Sequence, residues 1–402
     1  MPRLSHDLIR KAYSISSFLP LVLRGTRALD SAINELGWLK EHVFETSKTD
    51  CPKAHQKQLL QLCIRRSRAE PLQYILGSQP FGDLDIKCRP KVLIPRPETE
   101  AYTAHVAKLL LEDSLDVLSG PTRDSIDSED QLHRRRAPKI LDVCSGSGCI
   151  SLLLHSLLVE KFKDISILGL DISKTAVNIA RDNLRAYIKA KNFVQQPRQG
   201  HPQVQFRIHD VLSPTPIGFG HFDVILSNPP YISNSHFATE TTRSVRNYEP
   251  RLALVPTFIP GVLLCKPEDI FYHRLLELYQ TNKSSMLVME IGDEEQARRV
   301  VQMALSTAQV SGSNGVEIWR DWPEQEPQPG EDTVMRIDGR SIAAGFPDVE
   351  KKSADGESDT RLRETIDGKG VRVEDTHIPI KGAGMIRTVI LSRTKSVGQE
   401  RP

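Results

Sequence analysis

From residue 138 onwards, short apolar runs alternate with longer segments in which apolar residues recur every three or four positions. The runs are typical of buried strands, and the segments between them are typical of amphipathic helices. The runs are KILDVC, ISILGLDI, VQFRIHDV, FDVILS and SMLVMEIG. This alternation predicts a parallel, doubly wound α/β sheet. Two later runs, GVEIWRDW and MIRTVILSR, predict an antiparallel pair that closes the sheet.

The chain before the sheet follows a different pattern. Apolar residues lie at helical spacing in ALDSAINELGWLKEHVF and again in HQKQLLQLCIRRSRAE, which predicts a small helical domain over residues 1–75. The extended pieces LDIKC and KVLIP, punctuated by Gly82 and Pro90, predict a β-hairpin linker over residues 76–98. The α/β domain then occupies residues 99–402.

Two polar stretches interrupt the pattern of the α/β domain. Residues 113–137 are polar and contain a run of three arginines, so we expect a surface insertion there. Residues 323–381 are rich in Pro, Gly, Asp, Glu and Lys, which predicts a disordered or loosely folded insertion.

Composition and charge narrow the class of protein. The chain has 402 residues, 39% apolar and 26% charged, as in an ordinary soluble globular protein. Its net charge of +2 provides no global attraction to nucleic acid or an anionic membrane, so we expect neither stable nucleic-acid binding nor membrane association. The six cysteines form no C-x-x-C pair, which indicates reduced thiols and predicts no metal site. The sequence does not indicate an oligomeric state.

The first thirty residues have two interpretations. They contain five Arg or Lys residues but only Asp7 and Asp30 as acidic side chains, together with several serines. A mitochondrial presequence has this composition, and so does the first helix of a soluble domain. We keep both interpretations open.

A glycine-rich turn, LDVCSGSGCISLLL, joins the first strand of the α/β domain to a helix. Gly146 and Gly148 would let the backbone approach a ligand, although tight strand–helix turns need glycine without any ligand. Asp171 follows 29 residues after Asp142, at the end of the next strand, where an acid typically accepts ribose hydroxyls. The alternative role of Asp171 is the N-cap of a helix that begins at Ser173.

The glycine pattern favours one class of cofactor. Gly146 and Gly148 together with Asp171 indicate an adenosine-containing cofactor, but Ser151 stands where a dinucleotide fingerprint has its third glycine. Asp210 ends the third strand and could face an adenine amino group, with an N–H contributed by Val211. An acid after a strand is also an ordinary turn residue.

The fourth strand ends in VILSNPPYI, where Asn228 lies at the edge at which doubly wound sheets bind their ligands. Pro229 and Pro230 have no N–H, so their carbonyls are rigid acceptors. An Asn oxygen beside a Pro carbonyl offers two acceptors for one amino group, and Tyr231 can pack on a flat group. Such an amine needs a strong electrophile, and the methyl of S-adenosylmethionine qualifies. The simpler interpretation is a strand that ends in a turn.

N-P-P-Y with an upstream G-x-G is similar to methyltransferases of amino nitrogens, which act on adenine N6, cytosine N4 or the glutamine of release factors. Four further segments resemble the HemK/PrmC release-factor glutamine methyltransferases. They are PLQYILGSQPFGDLDIKC, LIPRPETE, NYEPRLALV and MEIGDEEQ.

This resemblance implies a Rossmann-like class I methyltransferase domain with a mostly parallel seven-stranded sheet. It also implies S-adenosylmethionine as the cofactor, a peptide chain release factor as the partner, and methylation of glutamine in the release factor's Gly-Gly-Gln motif. The helical domain would dock the release factor. By position, the donor would contact Cys144, Ser145, Gly146, Ser147, Gly148, Asp171, Val211 and Asn228, and the glutamine would contact Asn228, Pro229, Pro230 and Tyr231. In this family, long forms with the N-terminal domain occur in bacteria and mitochondria, and the eukaryotic-looking insertions therefore favour a mitochondrial enzyme, with the cytoplasm as the alternative.

The chain departs from the family pattern at three places. Cys144-Ser145 stands where Gly-Thr is usual, Val211 replaces a common aromatic residue, and the 323–381 insertion has no counterpart. Two other functions stay open: an adenine-N6 methyltransferase of RNA or DNA, and a non-catalytic adaptor. The first lacks a basic channel, and the second has no need of Asn228 or Asp171.

Overall fold

The computed structural model describes residues 3–112, 137–191, 203–213, 220–257, 265–306, 314–338 and 376–393. It begins with helices α1 (His6–Ile15), α2 (Leu19–Thr26), α3 (Leu29–Thr46), α4 (Pro52–Ser67) and α5 (Leu72–Leu76). Their apolar faces share one core, in which Ala12, Leu19 and Leu23 are fully buried. Residues 6–26 are therefore part of a folded helical unit, as the soluble-domain interpretation of the N-terminus predicts.

A two-stranded antiparallel hairpin follows the helices. It consists of β1 (Ser78–Phe81) and β2 (Leu84–Lys87). Phe81 and Ile86 are 1% and 2% exposed, because they pack into the core of the α/β domain rather than against the helices before them. The hairpin is thus anchored to the domain that follows it.

The α/β domain contains the remaining elements. Its helices are α6 (Pro97–Glu112), α7 (Cys149–Leu158), α8 (Lys174–Ala190), α9 (Asn234–Thr239), α10 (Arg243–Tyr248), α11 (Ile270–Asn282) and α12 (Glu294–Ser306). Its strands are β3 (Lys139–Val143), β4 (Ser166–Asp171), β5 (Val204–Ile208), β6 (Val224–Ser227), β7 (Met286–Glu290), β8 (Asn314–Trp322), β9 (Val334–Ile337), β10 (Thr376–Lys381) and β11 (Ala383–Arg393).

Within the described residues the strands form one sheet in the order β5-β4-β3-β6-β7-β11-β8-β10-β9. The first five are parallel, and β11 runs antiparallel to both β7 and β8. The predicted doubly wound sheet and its antiparallel closing pair are both confirmed. From β3 to β5 the strands are added toward one edge of the sheet, and from β6 onwards they are added toward the other edge. This change of winding between β3 and β6 opens a crevice at their carboxyl ends.

The sheet is two strands longer than the seven predicted. β10 pairs in parallel with β8, and β9 pairs antiparallel with β10. The expectation that the whole of 323–381 is loosely folded is therefore wrong at both ends of that segment. Every second side chain of β9 and β10 is buried in the core: Met335, Ile337, Ile378 and Ile380. This period of two is typical of strands, but the polar composition around these residues obscured it in the sequence. Residues 339–375 of this insertion, and 113–136 of the other, lie outside the described residues.

Two cores cover the two faces of the sheet. One includes residues of α6, α7 and α8, and the other includes residues of α11 and α12. In the ranges that the structure covers, no helix has the length and apolar composition of a membrane span.

Candidate active site

The loop between β3 and α7 is shaped by three residues in the left-handed region: Cys144 at φ +63°, Gly146 at +54° and Gly148 at +81°. A Cβ on Gly148 would lie 2.7 Å from the ring of Phe206, so packing requires glycine there. A Cβ on Gly146 would meet nothing closer than 4.0 Å, so that side of the loop is open. Cys144 adopts a conformation that costs a non-glycine residue about 1–2 kcal/mol.

Asp171 at the end of β4 braces this loop. Its Oδ2 accepts a hydrogen bond from Gly146 N at 2.9 Å, and its Oδ1 accepts one from Ser173 N at 2.8 Å. The alternative in which Asp171 is the N-cap of α8 is wrong, because the cap is Ser173, whose hydroxyl accepts from Ala176 N. Burial raises the pKa of Asp171, while these two amides oppose the shift.

A cavity of about 360 Å³ opens at the carboxyl ends of β3, β4 and β6. Ser145 lines it and is 4% exposed, and its hydroxyl has no hydrogen-bond partner among the described residues. A buried hydroxyl without a partner in the protein is costly unless a ligand or water satisfies it. The cavity therefore has the features of a ligand site.

The turn after β5 forms another part of the cavity wall. Asp210 lines the cavity, and its Oδ1 accepts a hydrogen bond from Leu212 N at 3.0 Å, so it is also a turn residue. Val211 is 5% exposed, and its carbonyl accepts from Arg274 Nε at 2.9 Å. Phe271 of α11 lines the same cavity and supplies an aromatic ring that Val211 lacks.

Asn228 follows β6 directly and also lines the cavity. The preceding Ser227 donates its hydroxyl to the carbonyl of Val143, which ties the ends of β6 and β3 together. Pro229 and Pro230 are buried. The carbonyl of Tyr231 accepts from Gln296 Nε2 at 3.2 Å, so α12 holds the backbone of this segment.

A chain of hydrogen bonds runs behind Asn228. Its Nδ2 donates to Thr99 Oγ1 at 3.2 Å, and Thr99 donates to Glu290 Oε2 at 2.7 Å. The other oxygen of Glu290 accepts from the Tyr231 hydroxyl at 3.2 Å. Burial raises the pKa of Glu290, and the bonds from Thr99 and Tyr231, with the charge of Arg387, oppose this. Glu290 therefore links both polar side chains of the N-P-P-Y segment.

The linker before α6 is fastened to the segment after Tyr231. Glu249 has a side chain only 2% exposed, and its Oε1 accepts from Arg96 at 2.7 Å. Its Oε2 accepts from Ile94 N at 3.2 Å. Arg96 and Ile94 both line the cavity, so this ion pair fixes one of its walls.

Comparison with known proteins is consistent with this architecture. A family model described as "Methyltransferase small domain" matches residues 129–247. The chain is 34% identical over 299 residues to "Mitochondrial MRF1 N(5)-glutamine methyltransferase MTQ1" of Saccharomyces cerevisiae, covering 74% of this chain and 78% of that protein. The chain belongs to the release factor glutamine methyltransferases.

Two further relatives carry related names. "Probable MRF1 mitochondrial N(5)-glutamine methyltransferase mtq1" of Schizosaccharomyces pombe is 35% identical over 260 residues, 61% of this chain and 71% of its own. "Release factor glutamine methyltransferase" of Chlorobaculum tepidum is 35% identical over 196 residues, 48% of this chain and 55% of its own. None of these three names refers to an adenine methyltransferase, so they give no support to that alternative.

The cofactor of this methyltransferase family is S-adenosylmethionine, and the cavity fits it. The Asp171 carboxylate suits a ribose, since each of its oxygens accepts one backbone amide and has a second lone pair. The orphaned hydroxyl of Ser145 adds a polar contact beside them. The volume falls within the range of cofactor pockets, about 300–1,000 Å³.

The structure brings most of the predicted site residues to one cavity. Those that line it are Cys144, Ser145, Gly146, Ser147, Asp171, Asp210, Val211, Asn228 and Pro230. Gly148, Pro229 and Tyr231 are not in its lining, and the ring of Tyr231 instead packs against Gly292. The individual roles of these residues stay predictions.

Sequence reasoning missed Thr99, Glu290, Arg96 and Glu249. A signal was present, because RPETE, MEIG and NYEP were all recognised as family segments. Spacing along the chain gave no indication that these segments meet, so no role could be assigned to them.

Proposed function

We propose that this enzyme methylates the side-chain amide nitrogen of the glutamine in the Gly-Gly-Gln motif of a peptide chain release factor in mitochondria. One observation carries the proposal: Asn228 lines the cofactor cavity with its Nδ2 engaged by Thr99. Its Oδ1 has no hydrogen-bond partner in the part of the chain that the structure describes. An acceptor in this place suits an incoming amino group.

The chain's own residues orient a poor nucleophile. S-adenosylmethionine, when bound, would supply a methyl group on a sulfonium. The glutamine nitrogen would take this methyl as the carbon–sulfur bond breaks to leave a neutral thioether, and one amide proton would pass to water. Asn228 Oδ1 and the Pro229 carbonyl each accept a hydrogen bond from one N–H group of the glutamine amide. The two hydrogen bonds fix the direction of the nitrogen lone pair. Burial and the nearby Glu290 raise the pKa of Tyr231, so its phenol keeps its proton at neutral pH and is not the base.

The test is to incubate the protein with labelled S-adenosylmethionine and either a mitochondrial release factor or RNA. We expect label in the release factor and none when the target glutamine is replaced by glutamate. The Asn228→Ala variant should lose transfer while retaining cofactor binding. Label in RNA, or in neither substrate, contradicts the proposal, and near-normal turnover of Asn228→Ala contradicts the two-acceptor mechanism.

The helical unit, residues 1–75, is proposed to dock the release factor. Trp38 and Phe44 of α3 are 50% and 76% exposed, as interface aromatics are before a partner binds. Trp38→Ala should raise KM for the whole release factor and leave kcat unchanged on a short Gly-Gly-Gln peptide. An unchanged KM for both substrates would exclude this part of helix α3 from docking.

Mitochondrial localisation is supported by the names of the two fungal relatives. A fluorescent fusion at the C-terminus of the full chain should co-localise with a mitochondrial marker. A purely cytosolic signal would support the alternative.

A further inference from the structure

The side chain of Asn228 can accept a hydrogen bond from the substrate glutamine in only one of its two amide orientations. The side-chain amide has an oxygen at one end and an –NH2 group at the other, and the two ends are similar in size. If –NH2 faced the substrate, two donors would meet and the glutamine amide would not be held. The surroundings of Asn228 must therefore distinguish its two ends.

We propose that Thr99 and Glu290 are positioning residues that orient the Asn228 amide, so that Oδ1 faces the glutamine of the substrate. This inference rests on the proposed function and deepens it. Asn228 follows β6 directly, Thr99 lies in the first turn of α6, and Glu290 ends β7. Thr99 and Glu290 are 2% and 1% exposed, so water does not compete with their hydrogen bonds.

Counting protons fixes the direction of the hydrogen bonds. A threonine hydroxyl has one proton, and a carboxylate only accepts. Thr99 gives its proton to Glu290 Oε2 at 2.7 Å, which leaves a lone pair to accept at 3.2 Å from Asn228. That partner has to be Nδ2. A reversed amide would set two acceptors against each other, which we expect to reduce that orientation about 10- to 100-fold.

Burial raises the pKa of Glu290, but hydrogen bonds and a nearby charge favour its ionised form. The Tyr231 hydroxyl donates to Oε1, Thr99 donates to Oε2, and the positive charge of Arg387 lies nearby. The same carboxylate therefore holds the phenol of Tyr231 and, through Thr99, the amide of Asn228. This gives a role to the E-I-G and R-P-E-T-E segments, which are far from N-P-P-Y in the sequence.

The experiment compares Thr99→Val with Thr99→Ser and Thr103→Val. Thr103→Val is the matched control, because Thr103 lies one turn along α6, is fully buried, and donates only to the carbonyl of Thr99 at 2.6 Å. For methylation of a release factor, Thr99→Val should lower kcat about 10- to 100-fold, while the Kd for S-adenosylmethionine stays within about threefold. Thr99→Ser should restore most of kcat, and Thr103→Val should leave it unchanged.

A double-mutant cycle separates positioning from a general structural role. In an Asn228→Ala background, with residual transfer measured at high enzyme concentration, Thr99→Val should cause no further loss. Glu290→Gln should lower kcat in the same way, since its amide can donate to Thr99 and reverse the direction of the bonds. Equal losses from Thr99→Val in both backgrounds, or a Thr99→Val kcat within about threefold of wild type, would overturn the proposal.

A second measurement does not depend on activity. Proton exchange of the Asn228 side-chain amide, followed by NMR on Asn-labelled protein, should be slow in wild type and Thr99→Ser and faster in Thr99→Val. Equal exchange in all three overturns the inference. A wild type with slow exchange but no glutamine methylation contradicts the proposed function, whereas methylation unaffected by Thr99→Val contradicts only the positioning role.

Discussion

Removing the side chain of Glu249 tests whether the linker and the segment after Tyr231 are held together by one ion pair. Glu249→Ala leaves Ile94 N without its acceptor and deprives Arg96 of its partner. A buried N–H without a partner costs about 1–3 kcal/mol, and a charge-assisted bond about 1.5–3 kcal/mol. The second contribution is discounted, because the Arg96 side chain is 32% exposed and water can partly replace the carboxylate.

The expected loss of stability for Glu249→Ala is about 3 kcal/mol. Glu249→Gln is the matched control, since it keeps an acceptor for Ile94 N and exchanges a charged bond for a neutral one, at a cost of about 1 kcal/mol. Urea denaturation followed by tryptophan fluorescence measures both values. The loose wall of the cavity should also lower kcat/KM for the release factor in the Ala variant.

Two results would refute this reasoning. One is a Glu249→Ala variant within about 0.5 kcal/mol of wild type, which is the usual range of surface substitutions. The other is a Glu249→Gln variant as unstable as Glu249→Ala, because the loss would then come from the charge alone and not from the buried amide of Ile94.

Three further predictions concern the cofactor loop, the ribose contact and the dependence of stability on pH. Gly148→Ala should destabilise the fold by about 2–4 kcal/mol through backbone strain and the clash with Phe206, which thermal denaturation measures. Gly146→Ala should mainly weaken cofactor binding, which titration calorimetry measures. Asp171→Asn should raise the Kd for S-adenosylmethionine about 10- to 100-fold, and an unchanged Kd would exclude Asp171 as the ribose contact. Burial lowers the pKa of His155 from 6.5 to about 4, so between these pH values the unfolded chain binds a proton that the folded chain does not. The free energy of unfolding should therefore fall by up to about 3 kcal/mol as the pH drops from 6.5 to 4, and a His155→Gln variant should lack this part of the slope.

The sequence by itself determined the sheet and the location of the site. Where apolar runs of strand length alternate with amphipathic helices, a doubly wound sheet buries the strands and the apolar faces of the helices together. For this reason β3 to β7 could be predicted from the sequence. The carboxyl ends of parallel strands lie at one edge, so Gly146, Asp171 and Asn228 could be assigned to one site without a structure. Even there, the sequence could not decide whether Asp171 or Ser173 caps α8, because both residue types are good N-caps.

The tertiary structure alone decided which distant side chains meet. Thr99 is 129 residues from Asn228 and 191 from Glu290, and Arg96 is 153 from Glu249. These contacts depend on strand order, on helix position and on how the linker lies over the sheet, none of which is encoded in local periodicity. Strands β9 and β10 also depend on long-range packing. Met335 and Ile378 become core residues only because β8 offers a free edge, with which β10 and then β9 can pair. Local pattern specified the elements, and long-range packing specified the chain of hydrogen bonds that orients Asn228.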